Sequence, residues 1–285
     1  MVLDPCSVLR LDRLAPLAGG NKAFKLKHNL AGLGPGDTVL SFGGAWSNHI
    51  HALAAVGRQR GLHTVGVIRG ERPAQLSATL FDAIECGMQL HFVSRSEYRR
   101  RYDPDYIDTL QSQFGPCRVI PEGGANDAGV RGCRDIVPML QASEIDFDLI
   151  AVACGTGSTF AGLVCDLSAG QRGLGITVLK GLANLSDDVS NWVKEQGVLP
   201  RDNWSIEPRF HCGGYARSTP ELREFVCEFE RAHDMALDPV YTAKLFFALY
   251  KLRAAGELDE GARVLALHTG GLQGRRGVDW LPGQV

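Results

Sequence analysis

Thr38-Val39-Leu40-Ser41-Phe42-Gly43-Gly44-Ala45-Trp46-Ser47-Asn48-His49 reads as a short buried strand, a glycine turn and the first turn of a helix. The apolar run has strand length, and Pro35-Gly36-Asp37 bounds it on the upstream side. An alanine- and histidine-rich helix follows over residues 47–60, then a strand at 64–68, a helix at 75–86 and a strand at 89–93. Strands separated by single helices at short spacing imply parallel βαβ units.

Outward from this unit the alternation continues. Upstream, residues 7–14 alternate apolar and polar as a strand, and 24–33 read as a helix. Downstream of Gly123-Gly124 the pattern predicts a helix at 129–142, a strand at 149–153 and a helix at 160–169. A strand at 177–180, helices at 221–232 and 242–255, and a last strand at 263–268 complete it. Residues 182–204 are polar with weak periodicity and receive no assignment. The 285 residues suggest two domains at roughly 150 residues each. The handover between the two αβ sets falls near residues 117–124.

Composition narrows the function. A net charge of -2 with no basic block argues against a nucleic-acid partner. Arg99-Arg100-Arg101 is flanked by Glu97 and Asp103 and reads as a helix surface. No apolar run of about 18 residues is present, so no membrane span is expected. No signal peptide is expected either. The eight cysteines form no Cys-x-x-Cys pair, which fits reduced thiols in a cytoplasm and neither a zinc site nor a redox motif. His28, His51, His63 and His91 lack metal-ligand spacing and read as solvated or core histidines.

Chemistry gathers at four places. In Gly19-Gly20-Asn21-Lys22-Ala23-Phe24-Lys25-Leu26, two glycines allow close approach, Asn21 is placed to cap a helix, and Lys22 and Lys25 share one face. Cations at a helix N-terminus oppose the dipole, so beside the plain reading of two solvated surface lysines stand an anionic ligand and a lysine nucleophile. Ser47 and Asn48 open a helix at a strand end, where ligands bind in open α/β sheets. Cys154-Gly155-Thr156-Gly157-Ser158-Thr159 is strand, small-residue turn and helix, the form of an anion cradle. It is neither a Walker loop nor a dinucleotide fingerprint, so a nicotinamide dehydrogenase is disfavoured. His268-Thr269-Gly270-Gly271 ends the last strand. A phosphate cradle, an imine-forming lysine and a hydroxyl-lined crevice together suggest pyridoxal phosphate.

Taken in order, five motifs resemble the fold-type-II pyridoxal-phosphate enzymes of the aminocyclopropane-carboxylate deaminase and D-cysteine desulfhydrase group. They are Gly-Asn-Lys-x-x-Lys-Leu at 20–26, Gly-Gly-x-x-Ser-Asn-His at 43–49, Thr-Gly-Ser-Thr at 156–159, Leu-Asp-Pro-Val-Tyr-Thr-x-Lys at 237–244 and His-Thr-Gly-Gly at 268–271. The resemblance implies two open twisted parallel-sheet domains, tryptophan synthase β-like, with the cofactor between them. The larger would comprise 1–22 and 125–285, the smaller 23–124.

By the same resemblance Lys22 would be the Schiff-base lysine and Lys25 a phosphate contact, with Thr156, Gly157, Ser158 and Thr159 also holding the phosphate. Ser47 would lie near the substrate α-carbon, Asn48 on the cofactor's 3′ oxygen, and His49 on the substrate carboxylate through its backbone. Tyr215 and Tyr241 match the two active-site tyrosines, and Thr269 would face the pyridine nitrogen. A homodimer is implied.

His49, Thr242 and Thr269 stand as in the desulfhydrase, where the deaminase has glutamine, glutamate and leucine. Trp46 and the Gly213-Gly214-Tyr215-Ala216 segment depart from both. The expectation is α,β-elimination from a small amino acid, with Lys22, Ser47 or a Tyr241 of lowered pKa as the base. Aminocyclopropane-carboxylate deamination is the alternative, and a cofactor- or ligand-binding protein without turnover is the alternative of another class.

Overall fold

The computed structural model describes residues 6–14, 19–182, 184–199 and 201–281. Residues 1–5 and 15–18 of the expected segment 1–22 thus lie outside the described residues.

In chain order, β1 (Cys6–Arg10) runs into a short helix α1 (Leu11–Leu14), and α2 (Asn21–Asn29) follows. Then come β2 (Thr38–Gly43), α3 (Asn48–Arg60), β3 (His63–Arg69), α4 (Ala78–Glu85) and β4 (Gln89–Val93). Two helices, α5 (Arg95–Tyr98) and α6 (Pro104–Phe114), lead to β5 (Cys117–Ile120) and a 3₁₀ turn (Glu122–Gly124). Next are α7 (Asp127–Arg134), α8 (Ile136–Ala142), β6 (Leu149–Cys154), α9 (Ser158–Cys165) and β7 (Arg172–Thr177). The chain continues through α10 (Leu185–Glu195), β8 (Trp204–Glu207), α11 (Pro220–His233), α12 (Thr242–Ala254), β9 (Val264–His268) and a 3₁₀ segment (Leu272–Gly277). No helix of the described residues is long and apolar enough to cross a membrane.

The strands form two sheets, ordered β1-β9-β6-β7-β8 and β4-β3-β2-β5. Every pairing is parallel. Parallel strands need crossover connections, and helices cover both faces of each sheet. Strand β6 shows how. Leu149, Ala151 and Ala153 face one core with α11 and α12. Ile150, Val152 and Cys154 face the other with α7, α9 and α10. In the smaller sheet Val39 packs with α2, α3 and α4, whereas Leu40 and Phe42 pack with Tyr98, Tyr106 and Leu110. A side-chain period of two, buried on both sides, turns each strand into a continuous apolar run.

Several boundaries differ from the sequence reading, each for a physical reason. The strand expected at 7–14 stops at Arg10, where Leu11 turns into the core and Arg10 grips Asp12 through two hydrogen bonds of 2.8 and 2.6 Å. Helix α2 starts earlier than 24, and Asn21 is its first residue rather than its cap. The helix expected over 129–142 breaks between α7 and α8. Pro138 has no N–H to reach back to the Arg134 carbonyl, so the ladder is interrupted there.

The strand expected at 177–180 is β7, displaced to 172–177. Its glycines hid it: a Cβ on Gly173 would sit 2.9 Å from Val164 Cγ1, and one on Gly175 2.6 Å from Ile206 Cδ1. Close packing selects glycine there, against strand propensity. Within the unassigned 182–204 lies α10, and β8 begins at its end. Helix α6 carried a readable start, Asp103 capping the Asp105 N–H at 3.0 Å ahead of Pro104. Arg99-Arg100-Arg101 is not a helix surface. It turns off the end of α5, so that Arg100 meets Asp103 while Arg101 points inward to Glu122.

Helix α7 lies against α2 with backbone close to backbone. A Cβ on Gly132 would fall 1.9 Å from the Phe24 carbonyl oxygen. Alanine is the better helix former by about 1 kcal/mol, yet a backbone atom cannot step aside as a side chain can. Gly132→Ala is therefore expected to lose about 2 kcal/mol net, from an overpacking cost of about 1–3 kcal/mol or more. Urea denaturation reads the change, and an unaltered midpoint would refute this packing.

Candidate active site

The carboxyl ends of β2, β6 and β9 converge with the start of α2 on a cavity of about 400 Å³. That is room for a flat heteroaromatic ring, its phosphate and a small amino acid. Lys22, Lys25, Ser47, Asn48, His49, Thr156, Gly157, Thr159, Tyr215, Tyr241 and Thr269 all line it. Of the residues expected at the site, Ser158 stands apart, fully buried behind the wall.

Gly20 makes the approach possible. Its φ is +62°, and a Cβ there would lie 2.3 Å from the Thr269 carbonyl oxygen. Only glycine lets the chain pass this close to the end of β9 before α2 begins. The helix is then tied across to α9. Asn21 Nδ2 donates to Thr159 Oγ1 at 2.9 Å. Lys25 Nζ donates to Ser158 Oγ at 2.8 Å and to the Gly123 carbonyl at 3.2 Å. Lys22 faces the cavity, with Nζ 3.4 Å from Asn21 Oδ1. Burial, and then repulsion from Lys25, lowers its amine to about 7. A lysine nucleophile needs this, because the neutral amine becomes available near neutral pH.

The turn after β6 fits a phosphate. Gly157 holds the N-cap position of α9 at φ +80°, with no side chain to cap the helix. The first N–H groups of α9 therefore lack intrahelical acceptors and can serve an anion. Thr156 Oγ1 lies 3.0 Å from Ser158 Oγ, which joins the hydroxyls to the Lys25 ammonium. A Cβ on Gly157 would come within 2.9 Å of Leu185 and 3.0 Å of Val189, so α10 buttresses the turn from behind.

Ser47 caps α3, accepting from the Ile50 N–H at 3.3 Å, and also lines the cavity. The structural and chemical readings of this serine hold together. Asn48 accepts from Gln273 Nε2 at 2.5 Å, and its side chain also hydrogen-bonds Asp238. His49 Nε2 lies 2.9 Å from Ser41 Oγ, whose own proton goes to the Ile120 carbonyl at 2.7 Å. Nε2 is therefore the N–H donor, and Nδ1 is a bare acceptor, buried and unpartnered. Burial, with Lys22 and Lys25 adding to it, holds the ring neutral.

Tyr241 opens α12 and lays its ring over Gly155, where a Cβ would meet the hydroxyl at 3.5 Å. Its hydroxyl is not lowered, as one role considered for it would need. Burial first, then Tyr215 and Asp238, push it up. Tyr215, though partly exposed, is also pushed up, to about 12. Both phenols stay protonated at neutral pH and can donate.

Sequence reasoning passed over five groups here. Asp238 is fully buried, accepts from the Val240 and Tyr241 N–H groups, and is raised to about 6 by burial. It sat in a quoted motif, where its contact with Asn48 could not be read. Lys244 is buried on α12 and donates to the Gly214 and Val178 carbonyls at 2.6 and 3.1 Å, which anchors the Tyr215 segment. Arg69, Arg101 and Glu122 line the cavity from the smaller sheet's side.

Buried lysines make stability depend on pH. Lys22 is lowered to about 7, whereas an unfolded lysine holds its proton to about 10.4. Between pH 7 and 9 the unfolded chain binds more protons, so the unfolding free energy rises with pH. Cofactor-free protein should therefore gain stability from pH 7 to 9, and Lys22→Met should flatten that rise. Urea titrations at the two pH values test this, and identical slopes in both proteins would count against a buried amine.

The comparisons agree with this geometry. The sequence matches the family described as "Pyridoxal-phosphate dependent enzyme" over residues 7–270. It is 31% identical to the Pyrococcus horikoshii protein named "Putative 1-aminocyclopropane-1-carboxylate deaminase", over 93% of this chain and 84% of that one. It is 30% identical to the Arabidopsis thaliana "Bifunctional D-cysteine desulfhydrase/1-aminocyclopropane-1-carboxylate deaminase, mitochondrial", over 90% of this chain and 69% of that one. A crystal structure of an ACC deaminase homologue superposes with a TM-score of 0.80 at 30% identity, covering 94% of this chain and 85% of the other. The chain belongs to the pyridoxal-phosphate-dependent enzymes of fold type II, in the family of the aminocyclopropane-carboxylate deaminases and D-cysteine desulfhydrases, and its cofactor is pyridoxal phosphate.

Proposed function

We propose that this enzyme catalyses α,β-elimination from a small amino acid, in the manner of a D-cysteine desulfhydrase, releasing a 2-oxo acid, ammonia and the β-leaving group. The observation that carries the reading is the Lys22 amine, lowered to about 7 and facing one cavity with the Thr156-Gly157 turn and Ser47. Bound pyridoxal phosphate supplies the electron sink for the substrate α-carbon and a phosphate handle.

The chain's own groups divide the remaining work. Lys22 holds the cofactor and, once displaced by substrate, takes the α-proton as a neutral amine. Lys25, Thr156, Thr159 and the α9 N–H groups hold the phosphate, and Ser158 positions Lys25 from behind. Ser47 lies beside the α-carbon, and the first N–H groups of α3 at Asn48 and His49 receive the substrate carboxylate. Tyr215 and Tyr241 stay protonated, so they orient and donate rather than abstract. Asn48 and Thr269 would hold the cofactor's ring.

One observation favours elimination over opening of an unactivated cyclopropane. Thr242 is fully buried, and its hydroxyl is committed to the Asp238 backbone, accepting from the N–H at 2.7 Å. This position therefore sends no carboxylate into the cavity, and the electron sink is the milder one that a good leaving group needs. On the same reading the enzyme is a homodimer of the cytoplasm, in keeping with eight free cysteines.

The test is the visible absorption band of bound cofactor, recorded with D-cysteine while sulfide and pyruvate are assayed. Lys22→Ala should lose the lysine-dependent band and about 10²–10⁴-fold in turnover, the usual range for a positioned base. Turnover by Lys22→Ala within about tenfold of the parent enzyme would sink the scheme. Ammonia from aminocyclopropane-carboxylate without sulfide from D-cysteine would reverse the choice of reaction. Band changes without product across D- and L-amino acids would leave a ligand-binding protein.

A further inference from the structure

Arg69 is the last residue of β3, is solvent-exposed, and lines the cavity together with Tyr215 and Tyr241. A Cβ on Gly44 would lie 3.8 Å from its Nη2, so the guanidinium stands beside the turn that leads into Ser47. That turn is closed by the Ser47 N–H donating to the Gly44 carbonyl at 3.0 Å. The charge reaches across the cleft, because Arg69 is among the groups that act on the Tyr215 hydroxyl.

The other cations of the cavity are accounted for. Lys25 is tied to Ser158 in the phosphate cradle. Lys22 carries the cofactor on the reading given above. Arg101 Nε lies 2.8 Å from Glu122 Oε2, with its guanidinium over the Tyr98 and Tyr102 rings at 5.0 and 4.5 Å. Arg69, among the described residues, has no ion pair and no side-chain hydrogen bond. The substrate α-carboxylate does not need it, since the start of α3 serves that group. One positive charge beside Ser47 is thus left for another part of the substrate.

We propose that Arg69 is a specificity-determining residue and that the preferred substrate is a small amino acid with a second anionic group, carboxylate or phosphate, on its side chain. This rests on the site assignment made under the proposed function, and it narrows the substrate class. Arginine suits the role because its planar fork pairs both oxygens of a carboxylate or phosphate. Its place at a strand end in the smaller sheet leaves the cofactor's own contacts untouched.

The experiment titrates the holoenzyme with isosteric pairs of each hand, aspartate against asparagine and O-phosphoserine against serine. The cofactor's absorption change gives each dissociation constant without any need for turnover. The charged member of at least one pair should bind about 10- to 100-fold more tightly, the usual worth of a charge-assisted contact. Arg69→Gln should erase that difference by weakening the charged member alone, and Arg69→Lys should restore part of it. Whichever pair discriminates more identifies the anion as carboxylate or phosphate.

Equal affinities within both pairs would overturn the proposal, as would an absence of any spectral response. So would Arg69→Gln weakening charged and neutral members alike, which would place Arg69 on the α-carboxylate. Release of 2-oxo acid is assayed with O-phosphoserine, whose phosphate is a β-leaving group, while aspartate reports binding alone. Discrimination for O-phosphoserine without release would keep Arg69 and sink the elimination reading. Release from neutral amino acids without discrimination would do the reverse.

Discussion

Everything at the site depends on α2 being held against α9 while its first residue almost touches the end of β9. Lys25 on Ser158, Asn21 on Thr159 and the passage of Gly20 over the Thr269 carbonyl form that junction. Burial of two lysines so close together is costly, and the cost falls on their protonated forms. The Ser158 hydroxyl and the Gly123 carbonyl satisfy Lys25, whereas Lys22, among the described residues, makes a single long contact to Asn21 and is lowered to about 7. The same packing that fixes the helix therefore makes the Lys22 amine available in its neutral form. Gly132, pressed against the Phe24 carbonyl, closes α2 from its other side.

The cavity also joins the two sheets. The phosphate cradle, Tyr241 and Thr269 come from the five-stranded sheet and its connections, and Ser47, Asn48, Arg69 and Glu122 from the four-stranded one. Beside the close packing of α2 on α7, polar contacts cross the seam. They include Gln273 on Asn48 and the Arg276–Asp82 ion pair, with His51 on the same carboxylate at 3.2 Å. Interfaces of this kind permit relative motion of their parts.

Much of the site was legible in sequence because its motifs are local. A strand, two small residues and a helix start place a cradle without knowledge of the remainder, and that logic located Ser47, Asn48 and the 156–159 turn. Short apolar runs likewise placed β2, β3, β4, β6 and β9. The misses have a common cause. Glycines in β7 are selected by the pressure of Val164 and Phe160, so the strand loses its propensity signal for the sake of packing. Arg101 lies in a basic run that looks like solvated surface, and only the fold reveals Glu122 beside it.

By itself, the sequence determined the parallel α/β class, the succession of strand-end motifs and the presence of a lysine pair and an anion-cradle turn among them. These follow from short-range periodicity and turn chemistry, which read the same in any context. The tertiary structure decided which groups share one cavity and what charge each carries. Lys22 falls to about 7 and Asp238 rises to about 6 because of burial supplied by residues distant in the chain. Tyr241 is raised rather than lowered for the same reason, and Arg69 is left beside the Gly44 turn with no partner among the described residues. Desolvation and charge neighbourhood are properties of three-dimensional packing, and no spacing along the chain encodes them.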